Sequence, residues 1–205
     1  MRSGALHNID SSFQKVLLER KVRLVLDLRS EKEQEKSPDD YAFLKDHGIL
    51  FVSIPLWDIL HLGEVNRLQG ELSLDYLDML ERNKEGFRKI FSLFATFEKG
   101  ILFHCHSGKD RTGVVAILLL SILDVPKEEI VSDYSLTEGN MVFFREGEKD
   151  FRPGLPEFTL HAKKETAEKF LKAINGRAGI LSYLRRINVS EEEIRKIQKK
   201  TISVR

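Results

Sequence analysis

Three short runs of apolar residues in the first half of the chain predict β-strands. They cover residues 23–28 (RLVLDL), 49–56 (ILFVSIPL) and 100–104 (GILFH). Each run is apolar on both faces that a strand presents, which is typical of strands buried in a parallel sheet.

Elsewhere, apolar residues recur every three or four positions, which is the spacing of amphipathic helices. This pattern predicts helices over residues 72–82 and 86–97. Strands that alternate with helices predict an α/β fold, with a central, mostly parallel sheet flanked by helices.

Helix start and stop signals add two further segments. Ser37 is the expected N-cap of one helix, with Pro38 at its first position and Gly48 at its end. Ser190 opens a capping-box sequence, SEEE, before a helix over residues 194–200.

The segment 112–123 is apolar on nearly every side and is predicted to be a centrally buried helix. Burial would hold its first turn rigidly, as a catalytic loop requires. Ligands of parallel sheets bind beyond the carboxyl ends of the strands. The third strand ends at such a point, at His104 and Cys105.

Length and composition fit one globular domain over residues 1–205, with 41% hydrophobic and 32% charged residues. The net charge of +1 provides no general attraction to nucleic acid or to an acidic membrane, so any attraction to an anion must be local. A single cysteine excludes an intramolecular disulfide and a cysteine-rich zinc site.

The longest unbroken apolar run, residues 114–120, has seven residues, whereas a membrane span needs about 20. The first residues, MRSG, lack the apolar core of a signal peptide. We therefore expect a soluble, cytoplasmic protein without stable membrane insertion.

The run HCHSGKDRTG, residues 104–113, links the third strand to the buried helix and predicts a phosphate-binding loop. Successive backbone N–H groups of such a loop form an anion cradle, and the helix N-terminus adds positive potential. Gly108 permits a turn that a side chain would obstruct. Arg111 can hold two oxygens of a tetrahedral anion with its planar guanidinium group.

Cys105 lies at the start of this loop, where a helix N-terminus and nearby cations favour the thiolate. The thiolate could attack a phosphorus atom held by the loop and form a phosphocysteine that water then hydrolyses. The Thr112 hydroxyl could hydrogen-bond the sulfur. A lone cysteine is more often a small buried hydrophobe, but the surrounding residues favour the catalytic interpretation.

This run resembles the signature of the cysteine-based phosphatases, and its GKDRTG ending is similar to the bacterial tyrosine-phosphatase-like branch. The resemblance covers nearly the whole chain and includes residues 2–6 (RSGAL), 27–30 (DLRS), 133–134 (DY), 136–137 (LT) and 183–184 (YL).

The resemblance implies a tyrosine-phosphatase-like fold, with Cys105 as nucleophile and Arg111 as phosphate clamp, and it calls for no metal or cofactor. The amides of residues 106–111 would form the cradle. The substrate-binding residues would be His106, Ser107, Gly108, Lys109, Thr112 and Gly113.

The leaving oxygen needs a proton, and two aspartates are candidates for the general acid. Asp110 lies inside the loop, where a carboxylate would repel an anion by about 4 kcal/mol at about 4 Å. It therefore either acts as a protonated acid or faces away and pairs with a cation. The resemblance implicates Asp58 in catalysis, and its alternative role is that of a solvated loop residue.

Positive charge around Arg111 bears on the substrate class. The resemblance associates a lysine at position 109 with phosphoinositide or dual activity, because a second phosphate would meet its ammonium group. Alternatively, the charge of Lys109 only offsets that of Asp110. His106 could likewise add positive charge, or it could pack against the helix instead. Asp27 and Arg29 are expected to form an internal ion pair or to shape the rim.

Residues 59–83 form an insertion with the length of a lid, whose apolar underside would include Tyr76, Met79 and Leu80. An ordinary packed helix is the alternative.

These features predict a phosphomonoester hydrolase that acts on protein phosphotyrosine, with dual specificity or phosphoinositides as alternatives. The expected partners are the phosphorylated substrate and a phosphate ion in the loop, with no nucleic acid. Two hypotheses of other classes remain: a phosphate-binding module without turnover, and a rhodanese-type sulfur transferase.

Overall fold

A computed structural model describes residues 1–57, 71–140 and 157–200. The chain forms two compact units, of which the first comprises Met1–Leu56 and Phe97–Thr112. The second comprises Trp57–Thr96 and Gly113–Arg205. The prediction of a single domain over residues 1–205 stays a prediction.

The first unit contains a four-stranded parallel sheet with the strand order β1-β4-β2-β3. The strands are β1 (Arg2–Ser3), β2 (Val22–Asp27), β3 (Leu50–Ser53) and β4 (Gly100–His104). The three predicted strands are confirmed, and β3 is shorter than expected because Pro55, which has no N–H, lies just beyond it. The two-residue β1 is too short to show a period in the sequence.

The register of the sheet brings two polar strand ends together. Asp27 at the end of β2 is opposite His104 of β4 and Ser53 of β3. Because the strands are parallel, these carboxyl ends lie at the same edge of the sheet, where the loop after β4 begins. The α/β fold predicted from the sequence is confirmed.

Three helices flank this sheet: α1 (Ser11–Glu19), α2 (Glu31–Lys36) and α3 (Tyr41–Asp46). Asp10 caps α1 by accepting from the Phe13 N–H, and Gly48 follows α3 with a positive φ of 62°. Gly48 thus ends α3 as predicted. The apolar sides of these elements form one core cluster: Leu6, Leu17, Val22, Val25, Phe43, Leu44, Ile49 and Leu102.

The prediction that Ser37 caps a helix was wrong. Ser30 and Glu33 form a capping box that starts α2 earlier in the chain, and Ser37 ends that helix. The next helix starts later, at Tyr41, because the Asp40 side chain accepts from the Phe43 N–H. Pro38 therefore lies between two helices rather than in the first turn of one.

The described part of the second unit is helical. It contains α4 (Leu72–Arg82), α5 (Lys84–Thr96), most of α6 (Asp110–Ile122), α7 (Lys127–Asn140), a 3₁₀ turn (Glu157–Leu160), α8 (Lys164–Ala173), α9 (Gly176–Arg186) and α10 (Glu191–Lys199). The two helices predicted from periodicity, α4 and α5, are confirmed, as are the apolar helix α6 and the Ser190 capping box of α10. Helix α6 is buried along most of its length, as its apolar sequence requires.

Residues 59–70 of the lid-like segment lie outside the described residues. The remainder is α4, a packed helix whose apolar side is buried. The Tyr76 ring contacts Phe170 edge-on, and its hydroxyl lies 2.7 Å from the Tyr134 hydroxyl. Met79 and Leu80 are also buried, so this part of the segment matches the packed-helix alternative.

No helix within residues 1–57, 71–140 and 157–200 is long and apolar enough to cross a membrane.

Candidate active site

The Cys105 loop follows an inner strand of the sheet. Strand β4 ends at His104, the loop runs from Cys105 to Lys109, and α6 begins at Asp110. The Cys105 side chain is 2% exposed, while His106 and Ser107 are half-buried. The thiol therefore lies where the sequence predicts it, between a central strand and a buried helix.

Neighbouring segments of the first unit bind the carbonyl groups of this loop. The donors come from the turn after β2 and from the N-terminal segment. The bonds are Leu28 N to His104 O (2.8 Å), Ala5 N to His106 O (2.9 Å) and Arg2 Nη1 to Gly108 O (3.2 Å). Two carbonyls of the loop and the last carbonyl of β4 are thus directed toward these neighbouring segments.

Gly108 occupies a position that no other residue fits. Its φ is +74°, and an added Cβ would lie 2.6 Å from the Ser3 carbonyl oxygen. Both the backbone conformation and the close approach of β1 therefore require glycine.

Arg111 forms a bidentate ion pair with Glu33 in the first turn of α2. Its Nη1 and Nη2 atoms lie 2.7 and 2.8 Å from the two carboxylate oxygens. Both side chains are almost fully buried, at 3% and 4% exposure. Two parallel hydrogen bonds fix the plane of the guanidinium group as well as its position.

Glu33 was not among the site residues predicted from the sequence. The same carboxylate closes the α2 capping box, accepting from the Ser30 N–H at 2.9 Å and from its hydroxyl at 3.1 Å. The pattern Ser-x-x-Glu over residues 30–33 was a signal for this helix start. Nothing in that pattern, however, indicates that the glutamate also binds an arginine 78 positions later.

Thr112 and Gly113 complete the entry of the chain into α6. The Thr112 hydroxyl is buried and has no hydrogen-bond partner among the described residues, so it could bind a group in the loop. Gly113 belongs to the second unit, where an added Cβ would lie 3.0 Å from the Tyr134 ring.

The structure pairs Lys109 with Asp110. Their charged atoms are 3.2 Å apart, and both side chains are buried, with the lysine 1% exposed. This pairing matches the alternative in which Lys109 offsets Asp110. The other candidate acid, Asp58, lies outside the described residues.

A cluster of four buried polar side chains lies behind the loop. Arg29 bonds Asp27 and Asp39 at 2.7 and 2.8 Å, which confirms the expected Asp27–Arg29 ion pair. His104 Nε2 lies 3.0 Å from Asp39 and its Nδ1 lies 3.9 Å from Asp27. Asp39 and His104 were not expected as partners, because no local pattern joins residues from different elements.

The pKa of Asp39 reflects this environment. Burial raises it, but the hydrogen bond and charge of His104, the charge of Arg29 and the Leu6 N–H outweigh burial and hold the pKa below its usual value.

Two carboxylates and a histidine could in principle bind a metal ion. Here the Arg29 guanidinium already binds both carboxylates and would repel a metal ion beside it, so the cluster does not fit a metal.

The model of one protein family, described as the tyrosine phosphatase family, matches residues 1–203. The chain belongs to this family. A tyrosine-protein phosphatase from Nostoc commune is 29% identical over 212 residues, which cover 97% of this chain and 72% of that protein. A second relative, from Cupriavidus necator, is 33% identical over 122 residues, covering 54% of this chain but 42% of that protein.

Among solved structures, a crystal structure of P. aeruginosa TpbA is 14% identical to this chain with a TM-score of 0.41. The match covers 86% of this chain and 83% of that one.

Family membership makes the chain a hydrolase of the cysteine-dependent, protein-tyrosine-phosphatase-like type. The loop described above lies within the matched residues and contains the only cysteine of the sequence.

The Arg111–Glu33 pair generates the first prediction. Glu33→Gln keeps the size of the side chain but removes the charge that orients Arg111. A hydrogen bond to a charged group contributes about 1.5–3 kcal/mol, so we expect kcat/KM on p-nitrophenyl phosphate to fall about 10- to 100-fold.

Glu31→Gln is the matched control, because Glu31 is exposed in the same turn of α2. It should leave kcat/KM unchanged. An equal loss in both variants would mean that the effect comes from the helix rather than from the Arg111 pair.

Gly108 generates the second prediction. Gly108→Ala forces a side chain into the Ser3 carbonyl at a positive φ, and such strain costs about 1–3 kcal/mol or more. We expect a lower urea midpoint together with a loss of hydrolysis.

Gly139→Ala is the control, because no atom lies within 4 Å of its added Cβ and alanine favours a helix. Its urea midpoint should be equal or higher. Normal activity and stability of Gly108→Ala would show that the loop tolerates another backbone path.

Proposed function

We propose that the chain hydrolyses phosphotyrosine in proteins through a phosphocysteine intermediate on Cys105. One observation carries this proposal. Neighbouring segments bind carbonyl groups of the loop that starts at Cys105, while Glu33 fixes the guanidinium group of Arg111, just after the loop. This arrangement suits an anion that binds inside the loop next to a thiol.

The direction of the amides supports the cradle. In a trans peptide unit the C=O and the following N–H point in opposite directions. Since the carbonyls of His106 and Gly108 bind neighbouring segments, the N–H groups of Ser107 and Lys109 point away from those segments. The start of α6 adds positive potential at the same loop.

The proposed reaction has two displacement steps. The Cys105 thiolate forms a bond to phosphorus as the bond from phosphorus to the tyrosine oxygen breaks, and the departing oxygen takes a proton from an acid. Water then attacks the phosphocysteine, releases inorganic phosphate and returns the sulfur as a thiolate. Arg111 would bind two phosphoryl oxygens throughout.

The Thr112 hydroxyl is proposed to donate a hydrogen bond to the Cys105 sulfur. A buried hydroxyl without a hydrogen-bond partner among the described residues is costly, and a nearby thiolate would satisfy it. That bond would stabilise the thiolate as a leaving group in the second step.

The general acid is assigned to Asp110 and Asp58 together. Asp110 directly follows the loop, and its carboxylate lies 3.2 Å from the Lys109 ammonium. Asp58 follows the β3 segment in the chain and stays a candidate on the resemblance alone.

Phosphotyrosine is the proposed substrate because the Nostoc commune relative, similar over 97% of this chain, is named a tyrosine-protein phosphatase. Dual specificity and phosphoinositide hydrolysis are the alternatives. The burial of Lys109 gives neither of them support, since an ammonium paired with Asp110 is not presented to a second phosphate.

The third prediction tests turnover against mere phosphate binding. Wild-type protein should hydrolyse p-nitrophenyl phosphate, and Cys105→Ser should lose this activity while keeping its affinity for inorganic phosphate. Absence of turnover in a folded wild-type protein that binds phosphate would instead indicate a binding module. Turnover of thiosulfate would indicate sulfur transfer.

The fourth prediction separates the two candidate acids. An aryl phosphate has a good leaving group and needs little protonation, whereas an alkyl phosphate depends on the acid. We expect Asp58→Asn to lower kcat for the alkyl phosphate by about 10²-fold or more and for the aryl phosphate much less.

Asp110→Asn is the comparison. If it shows the larger leaving-group dependence, the acid is Asp110. If kcat on the alkyl phosphate stays at the wild-type level in both variants, another residue donates the proton.

The substrate class follows from one comparison of kcat/KM on a phosphotyrosine peptide, a phosphoserine peptide and a phosphoinositide. The proposal requires the phosphotyrosine peptide to be the best of the three.

A further inference from the structure

Arg2 of β1 contacts the Cys105 loop with its side chain. Its Nη1 atom donates to the Gly108 carbonyl oxygen at 3.2 Å, and the arginine is half-buried. The other two carbonyls bound around this loop accept from backbone N–H groups, those of Leu28 and Ala5. One of these three contacts is therefore made by a side chain, and a substitution can remove it.

The register of the sheet brings Arg2 to the loop. Strand β1 pairs with β4 so that Arg2 is opposite Phe103, one residue before the end of β4. The chain after Arg2 stays beside the loop, because an added Cβ on Gly108 would lie 2.6 Å from the Ser3 carbonyl oxygen and 2.9 Å from the Gly4 nitrogen. The guanidinium group thus comes from a segment that packs directly against the loop.

The hydrogen bond from Arg2 acts on the peptide unit between Gly108 and Lys109. In a trans peptide unit the C=O and the following N–H point in opposite directions. A Gly108 carbonyl bound to Arg2 therefore directs the Lys109 N–H away from β1. Because glycine has no Cβ, its backbone is the least restricted of all residues, and a peptide unit next to it rotates most easily. The peptide unit that most needs a fixed partner is the one that Arg2 binds.

The positive charge of Arg2 strengthens this effect. A hydrogen bond from a charged donor is roughly twice as strong as one between neutral groups. Hydrogen bonds on the two sides of a peptide unit polarise each other, so a cation on the Gly108 carbonyl makes the Lys109 N–H a better donor. Both the direction and the strength of this N–H therefore depend on Arg2.

We infer that Arg2 is a positioning residue: its guanidinium group holds the Gly108 carbonyl toward β1 and so keeps the Lys109 N–H directed at the anion that the loop binds. The inference rests on the proposed function, in which this anion is the phosphoryl group of the substrate. Binding of an anion can be measured separately from hydrolysis.

Arg2→Met is the test substitution, because it removes the charge and the donors but keeps an unbranched side chain. Arg23→Met is the matched control. Arg23 Nη1 also donates to a backbone carbonyl oxygen, that of Val22, at 3.0 Å, and Arg23 is also half-buried. Val22 begins β2, whereas the loop follows the carboxyl end of the parallel strand β4. The control therefore removes the same kind of bond at the opposite edge of the sheet.

The first measurement is the Kd of inorganic phosphate. We expect Arg2→Met to raise this Kd about tenfold, which is the order expected when a hydrogen bond to a charged group is lost. Arg23→Met should keep the wild-type Kd. An equal Kd in the two variants overturns the inference.

The second measurement is the ¹H–¹⁵N spectrum of the backbone amides without phosphate and at saturating phosphate. An N–H that binds an anion moves downfield, so the Ser107 and Lys109 amides should both move in the wild type. In Arg2→Met the shift of Lys109 should be largely lost. Ser107 should keep its shift, because the His106 carbonyl still accepts from the Ala5 N–H.

The two amides distinguish positioning from a general effect on the loop. An equal loss of shift at Ser107 and Lys109 in Arg2→Met overturns the inference. A wild type whose Lys109 amide does not respond to bound phosphate also overturns it, even if Arg2→Met does not fold.

Failure of the proposed function has a different signature. A wild type that shows the expected phosphate binding and amide shifts but no hydrolysis would refute the proposed function and support this inference. An active wild type whose phosphate Kd does not change in Arg2→Met would overturn this inference alone.

Discussion

The ion pair between Arg111 and Glu33 is the contact on which the geometry of the candidate site depends. It joins the first turn of α6 to the first turn of α2, and it fixes the plane of the guanidinium that would bind phosphate. Because the pair is buried, only a favourable geometry offsets the free energy lost when the two charges leave water. Both carboxylate oxygens of Glu33 accept a hydrogen bond from Arg111. The helix cap of α2 and the proposed phosphate clamp, Arg111, thus share one carboxylate.

Beneath the loop, the sheet brings charged strand ends into the interior. Asp27, Arg29, Asp39 and His104 come from different segments of the first unit and contact one another where solvent is excluded. Such a network is costly when one member is missing and rigid when it is complete. The network therefore holds the backbone of Cys105 more rigidly than a surface loop could by itself.

Local signals explain which parts of the fold were predictable. The strands and the helices α4 to α6 follow from the pattern of apolar residues, because burial of one face or of a whole segment is recorded in successive residues. Helix α10 follows from its capping box. The N-cap at Ser37 was predicted wrongly because a second, equally local signal at Ser30 competed with it. The short β1 has no periodicity at all, since its place is set by pairing with β4 rather than by its own residues.

The sequence by itself determined the chemistry of the loop: a cysteine, a glycine and an arginine at fixed spacing between an apolar strand and an apolar helix. Only the tertiary structure decided what surrounds that loop. Glu33 and the segment of β1 reach the loop, and Asp39 reaches the strand end before it, from elements far away along the chain. Spacing along a chain records contacts within one element, whereas the pairing of buried charges depends on which elements the fold brings together.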